Sequence, residues 1–308
     1  MISWVFPGQG SQSVGMATGE AQPAAETWAT AREILGWDLR SVCIQGPSEL
    51  LASTMVAQPA ILTSSVAAAR ALEATGLIPD LVAGHSVGEL AALVASRALT
   101  FEDALRVVTV RAGAMARAGE ERPGSMAAII GMPADRVAAI CSETPGVVVV
   151  ANVNTADQIV ISGEENPVRV AGESARAAGA RRVIPLAVSV AAHSPLMLPA
   201  AEELEHALES VTLLEPVIPF ASCISGRFLS APDEIKRELV RAMTDPVDWP
   251  ACVKTLRTAE TDLFVEVGPG RVLSGLVRRV VPDARIASVS DESAAISLAH
   301  DLAAGVIG

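Results

Sequence analysis

The stretch DLVAGHSVGELAALVASRAL, residues 80–99, limits the fold more tightly than any other part of the chain. A short apolar run meets a turn with glycine at Gly84 and Gly88, and apolar residues at helical spacing follow at once. Strand, sharp turn and helix make the βα unit of a parallel sheet. The opening ISWVFPGQG repeats the strand and the Gly-rich turn, and DLFVEVGPGRVLSGLVRRV repeats the whole unit near the C-terminus. Pieces of this kind predict an α/β chain built on a parallel sheet.

The segments between them agree. PSELLASTMVAQPAILTSSVAAARALEATG has apolar residues at helical spacing and ends on Gly76, as helices covering a sheet do. Thr100 and Asp103 make a capping-box-like start to TFEDALRVVTVRAGAMARAG. From Gly124 the texture changes, and GSMAAIIG, ADRVAAICSE, VVVVANV, QIVISG, PVRVAGESARAAG and RRVIPLA read as βαββαβ, the ferredoxin-like order. The expected layout is a large α/β-hydrolase-like domain, residues 1–123 and 188–308, with a ferredoxin-like small domain inserted at 124–187 and a cleft between them. After the insert, VIPFASCISG reads as a strand between two helices.

Bulk properties exclude several classes. A net charge of −12 argues against a nucleic-acid binder, which needs a basic surface to displace counterions. No run approaches the ~18 uninterrupted apolar residues of a membrane span, and the N-terminus carries no basic leader, so neither secretion nor membrane insertion is expected. Cys43, Cys141, Cys223 and Cys252 lack metal-ligand or redox spacing, which suits buried thiols in a reducing cytoplasm.

Gly84-His85-Ser86-Val87-Gly88 is a GxSxG sequence in the strand-to-helix setting that gives the motif mechanical meaning. The turn would hold the Ser86 hydroxyl exposed, while N–H groups at the helix start, Val87 foremost, point where an oxyanion forms. A serine in a tight glycine turn is the plain alternative, and the flanking strand and helix favour the nucleophile. A serine nucleophile needs a base, and the chain has four histidines. His206 and His300 lie in charged or amphipathic helical stretches, and His85 adjoins the serine itself. His193, in VSVAAHSPLM, remains; on spacing alone a lone histidine beside Ser-Pro is more often a capped loop residue, and no acid stands near it as a third member.

Eight blocks then carry a resemblance over nearly the whole chain: FPGQGSQ from Phe6, QPAI from Gln58, GHSVGELAAL from Gly84, VRAGAM from Val110, GSMAAIIG from Gly124, NVN from Asn152, VSVAAHSPLM from Val188 and VEVGPG from Val265. In content and order they resemble the malonyl-CoA:acyl-carrier-protein transacylases and the discrete or integrated acyltransferases of polyketide synthases. The resemblance implies Ser86 as nucleophile, His193 as its base, and a backbone carbonyl orienting the imidazole from the segment of Asp245 and Pro246, where the family has Asn. It implies an oxyanion hole from the N–H groups of Gln9 and Val87. Arg111 would hold the free carboxylate of a malonyl group through two parallel hydrogen bonds. Gln58 would add a polar contact, and Ala192 would line the acyl pocket. Ala112 stands where the family commonly has glycine.

On this reading malonyl-CoA or a related acyl-CoA loads Ser86, an acyl carrier protein takes the acyl group, and no cofactor or metal is needed. The resemblance also implies a monomer. Arg181, Arg182, Arg278 and Arg279 are the visible basic pairs for an acidic carrier, or are plain surface charges. Other readings are a transferase for methylmalonyl or a carrier-bound chain, an editing hydrolase, an ordinary esterase and a non-catalytic scaffold. Arg111 speaks against the hydrolase, because a buried arginine without an anion costs several kcal/mol. An esterase would want an acid and then a late histidine, and a scaffold would not need Ser86, His193 and Arg111 together.

Overall fold

The computed structural model describes residues 1–17, 19, 22–188 and 190–306. Its strands are β1 (Ile2–Phe6), β2 (Leu81–Gly84), β3 (Gly124–Ile130), β4 (Val148–Thr155), β5 (Gln158–Glu164), β6 (Arg182–Pro185), β7 (Phe220–Ala221), β8 (Phe228–Leu229), β9 (Val247–Asp248), β10 (Leu263–Val267) and β11 (Arg285–Val289). They form two sheets, ordered β11-β10-β1-β2-β7-β8 and β6-β3-β5-β4-β9.

The first sheet is parallel from β11 to β7 and closes with the antiparallel β8. Its central strands are apolar on both faces, as a parallel sheet covered on both sides requires. Trp4, Phe6, Val82 and Val265 enter one core. Val5, Leu81, Ala83 and Phe264, alternating with them, enter the other. Helices Thr54–Ala74 and Phe101–Glu121 pack on the first core, and helices Trp249–Thr258 and Val272–Val280 on the second. Thr100 caps its helix by accepting the Asp103 N–H at 3.1 Å. No helix among the described residues is long and apolar enough to cross a membrane.

In the second sheet β3, β4, β5 and β6 come from one βαββαβ run, ordered fourth, first, third, second. All three of their pairings are antiparallel. A fifth strand comes from far outside that run: β9 pairs parallel with β4, Asn152 against Val247 and Val153 against Asp248. A strand from the chain after the run therefore completes the second sheet, and its Asp248 N–H donates to Cys223 O at 2.8 Å, just past β7 of the first.

The strand expected over VIPFASCISG shrinks to Phe220–Ala221. Ser222 Oγ accepts the N–H groups of Ile224 and Ser225, each at 3.0 Å. A side-chain turn therefore takes the donors that a longer strand would have used.

Candidate active site

The end of β2 and the first turn of helix Gly88–Ala95 make a bend in which side chains are excluded at two points. A Cβ on Gly84 would lie 2.1 Å from the Gly88 carbonyl carbon, and one on Gly88 would lie 2.2 Å from Phe6 O. Between them Ser86 adopts φ 53°, a left-handed conformation that costs roughly 1–3 kcal/mol and needs outside support. Support comes from both sides. His85 N–H donates to Phe6 O at 2.9 Å, and Ser86 N–H donates to Cys223 Sγ at 3.4 Å. The Gly8 turn lies against the bend so closely that a Cβ there would sit 2.6 Å from His85 O.

His193 arrives from the loop after the βαββαβ run. Its backbone is also left-handed, φ 56°, and its N–H donates to Met243 O at 3.0 Å. Ser194 caps the following turn Pro195–Met197, its Oγ accepting the Leu196 N–H at 3.3 Å. The ring bridges two groups: Nδ1 is 3.2 Å from Asp245 O and Nε2 is 2.9 Å from Ser86 Oγ. A carbonyl only accepts, so Nδ1 carries the proton and Nε2 presents its lone pair to the serine hydroxyl. Burial first, then the cation of Arg111 and the nearness of the His85 ring, push the imidazole down to about 3.

Arg111, from helix Phe101–Glu121, is 6% exposed. Its Nη1 donates to Gln58 Oε1 at 2.6 Å and its Nη2 to Ser86 Oγ at 3.2 Å. Gln58 is held in turn by an Nε2 contact of 3.2 Å to Met115 Sδ. Burial lowers the arginine to about 10, opposed chiefly by the nearby Glu89 carboxyl, so it stays charged at neutral pH.

These groups open on a cleft of about 380 Å³ lined by Gln9, Gln58, Ser86, Val87, Arg111, Ala192 and His193. The structure thus gathers into one cavity all the site residues expected from sequence except Asp245, which contributes its carbonyl from behind His193. A second cavity of about 360 Å³, beside Arg70, Glu73 and Phe101, contains none of them. His206 and His300 stand on helix surfaces with side chains 80% and 81% exposed.

Sequence reasoning missed three neighbours. His85, set aside as too close to the serine, is half-buried and places Nε2 3.1 Å from Asn154 Oδ1 on β4, with its ring 5.4 Å from that of Trp249. It ties the bend to the second sheet, and burial lowers its basicity. Cys223 holds the Ser86 N–H. Glu89 is 1% exposed and accepts the Cys223 N–H at 2.9 Å. NVN was visible as a block, but nothing in the sequence pairs it with His85.

An activated hydroxyl beside a buried guanidinium, in an apolar cleft, suits acyl transfer with an anionic acyl group. Comparison with known proteins points the same way. The model of the acyl transferase domain matches residues 3–299. The malonyl CoA-acyl carrier protein transacylase of Escherichia coli K12 is 40% identical over 98% of this chain and 99% of its own length. Among solved structures, the malonyl CoA-acyl carrier protein transacylase of Coxiella burnetii superposes with a TM-score of 0.94 at 34% identity, covering 98% of this chain and 97% of that one. A malonyl-transacylase solved with its type II PKS acyl-carrier protein gives a TM-score of 0.94 at 37% identity, over 97% and 99% of the two chains. Family model, near-complete relatives and superposed folds agree: this chain belongs to the acyl transferase family, among its malonyl CoA-acyl carrier protein transacylases.

Proposed function

We propose that the chain transfers malonyl from coenzyme A to the phosphopantetheine thiol of an acyl carrier protein through an ester on Ser86. The observation that carries this reading is the position of Ser86 Oγ, 2.9 Å from His193 Nε2 and 3.2 Å from Arg111 Nη2. One contact activates the oxygen, and the other sets a fixed cation beside the bond to be made.

Ser86 Oγ attacks the thioester carbonyl as His193 Nε2 takes its proton. The N–H groups of Gln9 and Val87 receive the oxyanion; the Ser86 N–H is engaged by Cys223 Sγ and is not available for this. The C–S bond breaks, and the proton passes from His193 to the departing thiolate. The carrier's thiol then reverses the sequence, so one site serves two thiols in turn. Asp245 O keeps the imidazole tautomer throughout and replaces the usual carboxylate. One thioester is exchanged for another, so the chemistry balances without a metal, nucleotide or redox partner.

Arg111 turns one or two N–H groups to the malonyl carboxylate, and Gln58 fixes the guanidinium plane. Ala192 leaves room for the acyl chain. The working layout is a catalytic body of residues 1–123 and 188–308 and a smaller unit of 124–187, with the substrate between them. The carrier docks by the β4–β5 turn, where basic pairs far apart in sequence converge. Arg279 Nη1 is 3.3 Å from Gln158 Oε1, and Arg181 Nη2 is 3.8 Å from Asp157. The enzyme works as a cytoplasmic monomer in fatty acid or polyketide synthesis.

Intact-mass analysis after brief exposure to malonyl-, methylmalonyl- and acetyl-CoA tests the reading. Malonyl-CoA should add its acyl mass and Ser86→Ala should add none. Label from methylmalonyl-CoA alone would move the assignment to a branched acyl group, and label from no acyl-CoA would overturn it.

A further inference from the structure

Glu89 lies in the first turn of helix Gly88–Ala95, and the chemistry above gives it no task. Its Oε1 accepts the Cys223 N–H, while Oε2 has no partner among the described residues. Arg111 is similarly buried, and its guanidinium reaches only the neutral oxygens of Gln58 and Ser86; no described carboxylate is within salt-bridge distance of it. Both side chains, with Ser86 and Val87, line a cavity of about 10 Å³, roughly the room of one water. Cation and carboxylate form an ion pair held open. Attraction across the gap offsets part of the desolvation of each, yet the arginine keeps N–H groups free for a ligand.

One buried cation balances one buried anion. A malonyl carboxylate placed on Arg111 would be the second, only a short way from Glu89. We propose that Arg111 is shared between two carboxylates, Glu89 in the empty site and the acyl carboxylate in the loaded one, and that Glu89 takes up a proton when the acyl group arrives. This rests on the malonyl reading given above and adds a proton to it.

The surroundings leave Glu89 as the group able to respond. Glu238, from helix Pro232–Arg241, is engaged by Ser222 Oγ, by the Ser225 N–H at 3.0 Å and by Arg241 Nη1 at 3.4 Å. The thiols of Cys223, after β7, and Cys252, in helix Trp249–Thr258, are pushed well above their ordinary value by burial and stay neutral. His193 and His85, across the bend, are lowered and uncharged. Glu89 itself is pushed up to about 7, chiefly by burial, with the Cys223 N–H and thiol opposing, Glu238 adding and Arg111 opposing least.

The balance is complete without another reactant. On loading, the thioester C–S bond breaks, the Ser86 C–O bond forms, and the serine proton leaves on the coenzyme A thiol. The proton on Glu89 Oε2 comes from solvent and returns there when the acyl group departs on the carrier. The sign follows. Below about pH 7 Glu89 is protonated in both states and loading is undiminished. Above it the empty enzyme has lost the proton and must regain it, so apparent affinity for malonyl falls by up to about tenfold per pH unit.

The test measures KM for malonyl-CoA between about pH 6 and about pH 9 in the wild type and in Glu89→Gln, which keeps the acceptor for Cys223 and removes the charge. Acetyl-CoA, with the same coenzyme and no acyl carboxylate, is the control. The wild-type KM should climb at least about tenfold for malonyl-CoA and stay level for acetyl-CoA, and Glu89→Gln should be flat for both. Equal slopes in wild type and variant, or the same slope for acetyl-CoA, overturn the proposal. Should the variant not fold, wild type alone decides: loading near pH 8 in weak buffer with an indicator dye should take up about one proton per malonyl ester, and no uptake overturns it. If malonyl-CoA fails to load at any pH, the malonyl reading itself falls and this inference with it.

Discussion

Ser86 and His193 face each other with Oγ and Nε2 2.9 Å apart, and each is held in the left-handed backbone region. That conformation is uncommon for any residue but glycine, and both are fixed by groups from other segments, Cys223 Sγ for one and Met243 O for the other. The surrounding packing, rather than local preference, sets the distance between nucleophile and base.

Ser86→Ala should leave the fold intact and abolish the acyl adduct. His193→Ala should slow loading by about a thousandfold, the range of a lost general base. A time course of intact mass with malonyl-CoA reads both, and a persisting adduct in Ser86→Ala would place the nucleophile elsewhere.

Arg111→Ala should cut kcat/KM for malonyl-CoA by about a hundredfold or more while acetyl-CoA loading holds or rises. Arg111→Lys should restore little, since a point charge cannot reproduce the fork that Gln58 positions. Equal losses for the two substrates would show that the guanidinium does not read the carboxylate.

His193 is pushed to about 3, below the 6.5 of a free imidazole, so the empty enzyme keeps its base neutral well into acid. With acetyl-CoA, kcat/KM should stay level from about pH 7 to about pH 5, where an ordinary histidine would lose about tenfold per unit. The depressed value has a stability consequence as well. The unfolded chain binds this proton below 6.5 and the folded one does not, so the contribution is full above 6.5 and falls away toward 3. A kinetic limb near 6.5 in the free enzyme would contradict the burial described.

Gly88→Ala puts a methyl group 2.2 Å from Phe6 O and 2.8 Å from Pro7 O. Backbone cannot retreat there without moving β1 or the bend, and a loss of about 3 kcal/mol or more is expected. Thermal unfolding, or failure to accumulate as soluble protein, would register it. Wild-type stability in this variant would mean the bend is looser than its contacts indicate.

Asp245→Asn should change activity by no more than about threefold, because the group that steers His193 is the main-chain carbonyl. The Asp245 side chain points to Arg241 at 2.7 Å in a largely solvated pair of small worth. A large loss would assign the side chain a part in the chemistry.

The parallel sheet and the βαββαβ run were legible because each strand carries its own periodicity and each turn its glycine. Ser86 was legible from local context. His193 came by elimination and Arg111 by resemblance, since neither spacing announces a partner. Cys223 and Asn154 were not legible, because they meet the bend across separations of 137 and 69 residues that only the fold closes, and the role of Glu89 was hidden because its partner Cys223 lies 134 residues away. The Asp245 carbonyl leaves no trace in side-chain type, and the resemblance alone located it. β9, a two-residue strand, is too short to show a period.

That short strand gives the molecule a mechanical interlock. Val247 is zipped to Asn152 in the second sheet, and just upstream of it lies the carbonyl that aims His193. Rocking the second sheet away would tug on the same few residues and turn the imidazole off its serine.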